Sequence, residues 1–286
     1  MLTTVAPDSE NFQYKLPSET DSSPRMTVFC DLDGPIVDVS DRYYTTYQQG
    51  LADTQAVYRD RGINLNLQIL SKQQFWQMKQ NRVPDVEIAK SSGLCGQEIH
   101  IFLGCVSRIV NQPDLLHLDR IQPGVQWAIG LLHSRGVRLI LVTLRPRNQA
   151  VQLLQNYGLA RLFTSIRGTQ MSDAAYHNYT ALKTELLAEV AEEFESSLGS
   201  AWMIGDTEAD ILAGQALGIP TIAVTCGIRS RNQLQKHQPN FILSDLIIAV
   251  HHLLGSAQQV ILDWLKVTVD WWLLTVTAYD LCMWYI

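Results

Sequence analysis

Asp31 and Asp33 stand two positions apart at the end of a short apolar run, and Gly34 follows at once. Two like charges held that close are costly unless a cation or a shared proton relieves them. The pair therefore calls for a divalent metal, an acid–base role, or both; a solvated acidic turn is the plainer alternative. Three further polar signals have the same placing, just after or beside an apolar run. Thr143 ends Leu139-Ile140-Leu141-Val142, Lys183 opens a helical pattern, and Gly205-Asp206-Thr207-Glu208-Ala209-Asp210 follows Trp202-Met203-Ile204. Lys183 is the only lysine between Lys90 and Lys236, so no other lysine of that region competes for its role.

For these residues to meet, the runs before them must be neighbouring strands. Met26–Cys30 reads as a buried parallel strand, and a strand aims residues two apart to one side. Further strands are expected at Val137–Val142, Leu162–Ile166, Ala201–Ile204 and Pro220–Thr225, with a short one at Phe241–Leu243. Helical periodicity lies between them: from Pro123-Gly124, from Pro146, over Tyr179–Glu195, from Glu208 to Gly218, and over Asp245–Leu254. Strands alternating with helices predict an α/β fold, a Rossmann-like doubly wound parallel sheet. In such a sheet, polar residues at the carboxyl ends of strands share one edge, where ligands bind. Residues 25–39 and 119–255 form this core. Residues 40–118 break the pattern with mixed helical spacing, frequent tyrosines and no convincing strand, and read as an inserted helical domain.

The four signals together resemble the motifs of the haloacid dehalogenase-like (HAD) phosphohydrolase superfamily, over roughly residues 25–255. A helical insert directly after the first motif is similar to the C1-type cap of its phosphoglycolate-phosphatase-like subfamily. The resemblance implies a Mg²⁺-dependent phosphatase acting on a small phosphomonoester through an aspartyl-phosphate. By it Asp31 is the nucleophile, and Asp33 the general acid and then base. Thr143 and Lys183 hold the phosphoryl group. Asp31, Asp206 and the backbone carbonyl of Asp33 form the Mg²⁺ site, with Asp210 acting on Lys183 or the metal waters. Arg145 is expected near the phosphate or a substrate acid, and Lys79 and Arg82 in the cap are candidates for reading a substrate carboxylate. The acid at position 33 sets the chain apart from family members that cleave carbon–halogen bonds. Pro35 departs from the Thr or Val usual after this glycine and has no N–H to offer a phosphate. The same motifs also suit a phosphotransferase or mutase, and the fold alone suits a non-catalytic binding protein.

The chain has 286 residues, 47% of them hydrophobic, and a formal net charge of −6. That balance speaks against a broad nucleic-acid-binding surface. The expected partner is a small phosphorylated metabolite. The five cysteines show no metal or CxxC spacing, and residues 1–24 read as a polar, flexible leader without a secretory pattern. A cytoplasmic location follows as the expectation. Residues 256–286 carry Trp264, Trp271, Trp272 and Trp284 in an apolar run interrupted by charges. They are expected to cover core or an oligomer contact, with an interfacial membrane anchor as the sharper alternative.

Overall fold

The first strand, β1 (Thr27–Cys30), is buried along its whole length and occupies the middle of the sheet. The fold is given by a computed structural model that describes residues 26–255, apart from 172–173, 178 and 195–199. The expected leader and the tryptophan-rich tail lie outside the described residues. After β1 the chain turns tightly at Gly34-Pro35 into β2 (Val37–Asp38) and then enters four helices: α1 (Ser40–Arg59), α2 (Lys72–Gln80), α3 (Asp85–Ser91) and α4 (Gln97–Ile109). A 3-10 turn (Pro113–Leu118) leads back through β3 (Arg120–Ile121), which pairs antiparallel with β2. This two-stranded ribbon is the double connection between the helical segment and the sheet.

The alternation then resumes as α5 (Val125–Ser134), β4 (Arg138–Pro146), α6 (Arg147–Asn156), β5 (Ser165–Thr169), α7 (Ala174–His177), α8 (Thr180–Glu193), β6 (Ala201–Gly205), α9 (Glu208–Ala216), β7 (Thr221–Val224), α10 (Arg231–Gln235), β8 (Phe241–Leu243) and α11 (Leu246–Leu254). The six strands of the main sheet lie in the order β5-β4-β1-β6-β7-β8, and every pair is parallel. The chain builds outward from β1 through β4 and β5, then crosses back to place β6 on the other side of β1. The order therefore reverses beside β1, the kind of switch point at which α/β sheets open a crevice for ligands.

The expected α/β class is the observed one, and the two-residue period of the strands explains its layers. Val28, Cys30, Leu139, Leu141 and Ile204 belong to one apolar cluster with Ala128, Ile129, Leu132 of α5 and Leu154 of α6. Phe29, Ile140, Val142 and Met203 belong to another with Leu187 and Val190 of α8 and Ala209 and Ala213 of α9. Alternate residues thus serve opposite faces, each covered by helices. In the helical segment, Tyr47 stacks on Phe75 with centroids 4.9 Å apart and meets Phe102 edge-on at 6.2 Å. Gly50 lets α1 and α4 approach: a Cβ there would lie 2.8 Å from Val106 Cγ2.

Two strands differ from expectation. β4 does not stop at Thr143 but runs on to Pro146, with a register shift against β5 between Val142 and Pro146. The strand placed at Leu162–Ile166 begins at Ser165, because Ala160–Leu162 wind into a 3-10 turn first. Periodicity could not see either, since a bulge and a short turn leave the apolar pattern intact.

Pro35 stands at the crown of a turn closed by Gly34 N–H donating to Val37 O (2.8 Å) and Val37 N–H donating to Leu32 O (2.9 Å). Both bonds pass around the proline, so the turn asks no donor of residue 35. Pro35→Thr is expected to lose about 0.4–1 kcal/mol of stability, mainly by loosening the unfolded chain, as read by urea unfolding. A stabilised variant would show that the proline is strained there.

Candidate active site

Asp31 and Asp33 leave the carboxyl end of β1 and face different surroundings. Asp31 Oδ1 lies 2.8 Å from Lys183 Nζ, which lies 2.8 Å from Asp210 Oδ1 as well. Lys183 is 1% exposed and reaches this point from the first turn of α8. Burial opposes its charge, but Asp210 and Asp31 outweigh that and hold its pKa above the ordinary lysine value. Removing one partner of such a buried pair costs roughly 3–5 kcal/mol, because the other charge is stranded.

Asp206 directly follows β6, and backbone crowds it on two sides. Ile228 N–H donates to its Oδ2 at 2.6 Å, and a Cβ on Gly34 or Gly227 would lie 2.2 Å from its Cγ or 1.9 Å from its Oδ2. Gly34 also has φ +97°, a conformation that suits glycine. The other oxygen, Oδ1, is buried without a hydrogen-bond partner. Asp210 Oδ2 accepts from Thr207 N–H (3.1 Å) and Oγ1–H (2.7 Å), which fixes the start of α9 and aims Oδ1 at Lys183. Asp210 thus caps its own helix and partners Lys183 at once.

Oxygens of Asp31, Asp206 and Asp210 all lie within 4.8 Å of one another. Burial pushes the Asp31 carboxyl up to about 7, against the pull of Lys183 and with Asp210 and Asp33 adding to the rise. Burial, then Asp210 and Asp31, push Asp206 well above the usual carboxylate range. An all-oxygen set with one unpartnered buried oxygen and unrelieved negative charge fits a hard divalent cation. Asp33 offers its carboxylate elsewhere and is not part of this set.

Asp33 is instead held by arginines. Arg145 Nη2 lies 2.7 Å from its Oδ1, and Arg42 Nη2 lies 3.3 Å from its Oδ2. Both guanidiniums also meet Asp119, Arg145 Nη1 at 2.6 Å and Arg42 Nε at 2.8 Å. Arg42 further donates to Val110 O and Asn111 Oδ1. Arg42, Asp119 and Arg145 are all at least 96% buried. Burial works against the Arg145 charge, yet Asp33 and Asp119 hold its pKa above that of a free arginine. Arg145 was expected near the substrate; its guanidinium lies under Asp33, between two carboxylates, and does not line the chamber. Arg42 and Asp119 were missed, and no local spacing signals them, since they are 77 residues apart.

The chamber above these groups has a volume of ≈ 60 Å³. Asp31, Asp33, Thr143, Lys183 and Asp206 line its floor, and Tyr43, Lys79, Tyr176 and Arg229 its walls. Thr143 Oγ1 accepts the Arg145 backbone N–H at 3.2 Å. Lys79 Nζ pairs with Asp85 at 2.9 Å and sits 4.9 Å from the Tyr176 ring centroid and 5.7 Å from that of Tyr43. Burial pushes the Tyr43 phenol up to about 12. Arg82 lies away from the chamber, on Glu208 Oε1 at 3.0 Å. Arg229 also grips Glu208, at 2.8 and 3.2 Å, and despite burial these bonds pull that carboxyl down to about 2. Tyr43, Tyr176 and Arg229 had no signal in the sequence beyond their residue types.

Residues 28–224 match the family model of haloacid dehalogenase-like hydrolases. A protein of Dickeya dadantii named "Probable phosphatase IndB" is 27% identical over 231 residues, which is 79% of this chain and 94% of that protein. The phosphoglycolate phosphatase of Vibrio parahaemolyticus is 25% identical over 129 residues, spanning 45% of this chain and 54% of its own length. The crystal structure of a HAD-superfamily hydrolase of subfamily IA from Geobacter sulfurreducens superposes with a TM-score of 0.55 at 19% identity, covering 82% of this chain and 99% of that one.

Two outcomes are expected of the carboxylate set. A carboxyl raised in the folded state gives stability that is complete below its unfolded pKa and is lost as pH rises through the folded one. For Asp31 that window runs from about 4 to about 7. The cation-free protein should therefore lose melting temperature across it, and added Mg²⁺ should raise Tm more at about pH 8 than at about pH 5, because protons compete with the cation. An equal rise at both would remove the cation from this cluster. Gly34→Ala drives a methyl into Asp206 and should shrink the Mg²⁺-induced rise in Tm; an undiminished rise would show that Asp206 does not depend on this contact.

Proposed function

The chain belongs to the haloacid dehalogenase-like hydrolase family, and we propose that it is a Mg²⁺-dependent phosphatase of small phosphomonoesters, phosphoglycolate-like in size and charge. The observation that carries this reading is Lys183 Nζ placed 2.8 Å from both Asp31 and Asp210, beside Asp33 and Thr143 on the floor of one small chamber. Asp31, Asp206 and Asp210 would hold or flank the cation, with the Asp33 carbonyl as a further donor. When bound, Mg²⁺ supplies positive charge against the phosphoryl oxygens and the nucleophile.

Asp31 is the nucleophile. Its free carboxylate oxygen attacks phosphorus, the bond to the ester oxygen breaks, and Asp33, having taken a proton from solvent, gives it to the departing alkoxide. In the second half Asp33 takes a proton from water, the hydroxide attacks phosphorus, and the aspartyl–phosphate bond breaks to return Asp31 and inorganic phosphate. Lys183 neutralises the growing charge without reorienting, since both its partners are fixed. Thr143 accepts from the Arg145 N–H, which leaves its hydroxyl proton for a phosphoryl oxygen. The helices over residues 40–118 act as a cap: Tyr43 and Lys79 bring its surface to the chamber and limit the room for a leaving group. Lys79, between two aromatic rings, is the group that faces an acidic substituent. The four cysteines among the described residues are free, consistent with a reducing cytoplasm.

The test is hydrolysis of a panel of small phosphomonoesters with Mg²⁺ or EDTA, by the wild type and Asp31→Asn. Phosphate release without an added acceptor, lost with EDTA and reduced by at least about 10³-fold in Asp31→Asn, is expected for a covalent nucleophile. Turnover that survives Asp31→Asn would remove the aspartyl-phosphate. Transfer that needs a second alcohol would move the reaction from hydrolysis to phosphotransfer.

A further inference from the structure

We infer that Arg145 and Arg42, tied together by Asp119, are positioning residues that hold the Asp33 carboxylate toward the leaving oxygen of the substrate. This rests on the reading of Asp33 as general acid given above. The Asp33 carboxylate pairs with arginines and lies outside the Asp31–Asp206–Asp210 cluster. Its two oxygens are each occupied by a different arginine, Oδ1 by Arg145 and Oδ2 by Arg42. A carboxylate held at both oxygens has no freedom to rotate about its last bond. The arginines are themselves fixed: Asp119 binds both, and Val110 O and Asn111 Oδ1 complete the grip on Arg42.

The arrangement is not explained by stability alone. Two buried arginines and two carboxylates bring a large desolvation cost, and well-packed apolar residues fill such space at no such cost. Nor does the cluster reach substrate directly, since neither guanidinium lines the chamber while Asp33 does. What it does reach is the carboxylate beside the nucleophile. The helical segment supplies Arg42 from the third position of α1, and the return from that segment supplies Asp119, one residue before β3. Arg145 comes from the extension of β4 beyond Thr143, so the bulged end of that strand gains a purpose. Arginine suits the place because its planar fork meets two carboxylates in fixed directions, whereas a lysine ammonium is a point charge without that geometry.

A positioned general acid matters most for a leaving group that departs as a poor alkoxide and least for one that departs as a stable phenolate. The experiment measures kcat/KM for an alkyl phosphate and for 4-nitrophenyl phosphate, since that ratio reports the first phosphoryl transfer. Arg145→Lys is expected to raise the preference for 4-nitrophenyl phosphate by about tenfold or more, within the range general acids contribute. On an Asp33→Asn background, the same substitution should add less than about threefold, because the group it positions is gone. Should Arg145→Lys fail to fold, as judged by circular dichroism and Tm, Asp119→Asn is measured in its place and read the same way. An equal loss on both esters, or an undiminished loss in the Asp33→Asn background, would overturn the inference and make the cluster structural or substrate-binding. Failure of the phosphatase reading is separate: the wild type would then turn over neither ester, or Asp31→Asn would be as active as the wild type.

Discussion

Negative charge crowded at the carboxyl end of β1 and β6 is the constraint around which the molecule is arranged. Asp31, Asp119, Asp206 and Asp210 are buried at this edge and Asp33 is half-buried, and among the described residues the buried cations paired with them are Arg42, Arg145 and Lys183. Five carboxylates against three cations leave a formal deficit of two charges. Charges taken out of water are tolerated only when paired and hydrogen-bonded. A divalent cation at the Asp31–Asp206–Asp210 cluster would cancel that deficit. Burial raises the carboxyls of Asp31 and Asp206, and the neighbouring negative charge adds to that rise.

This constraint also explains how the helical segment is attached. Its aromatic cluster of Tyr44, Tyr47, Phe75 and Phe102 is spent inside the segment, between α1, α2 and α4. Across the junction, polar contacts stand beside the Tyr43–Tyr176 ring pair, whose centroids are 5.9 Å apart. Arg42 reaches Asp33, Arg82 reaches Glu208, and Ser230 N–H donates to Gln80 O at 2.8 Å. The helical segment thus walls the chamber through Tyr43 and Lys79 and fixes its charges through Arg42.

The sequence made legible whatever depends on near neighbours. An apolar run ending in an acid locates a strand end, and the alternation of runs implies that the ends share an edge; Asp31, Thr143, Lys183 and Asp206 do line one chamber. What it hid is set by distant partners. Arg42 on α1 reads as one charge among many on a polar helix, and Asp119 as a loop acid, until the fold brings them to 2.8 Å. Arg145 was visible as a residue near Thr143, but not its direction, because the register shift in β4 turns it under Asp33. Pro35 reads in sequence as a lost donor for phosphate, and the fold adds only that the turn itself asks no donor there. Spacing along the chain reports which residues end a strand, and it is silent on what lies beneath them.

The two acids of the opening motif show why that distinction matters for chemistry. In sequence Asp31 and Asp33 are near-equivalent, with one leucine between them. In the fold their environments diverge. Asp31 shares a compact ammonium with Asp210 and keeps company with the cation cluster, while Asp33 is gripped at both oxygens by guanidiniums and turned away from that cluster. A nucleophile needs one oxygen free along the line of attack, and a single point charge on its other oxygen leaves that line open. An acid–base group needs a fixed direction toward the leaving oxygen, and two planar forks supply it. Division of labour between like residues follows from what surrounds each, and here the surroundings come from four separate parts of the chain: α1, the return before β3, the end of β4, and α8 with the start of α9.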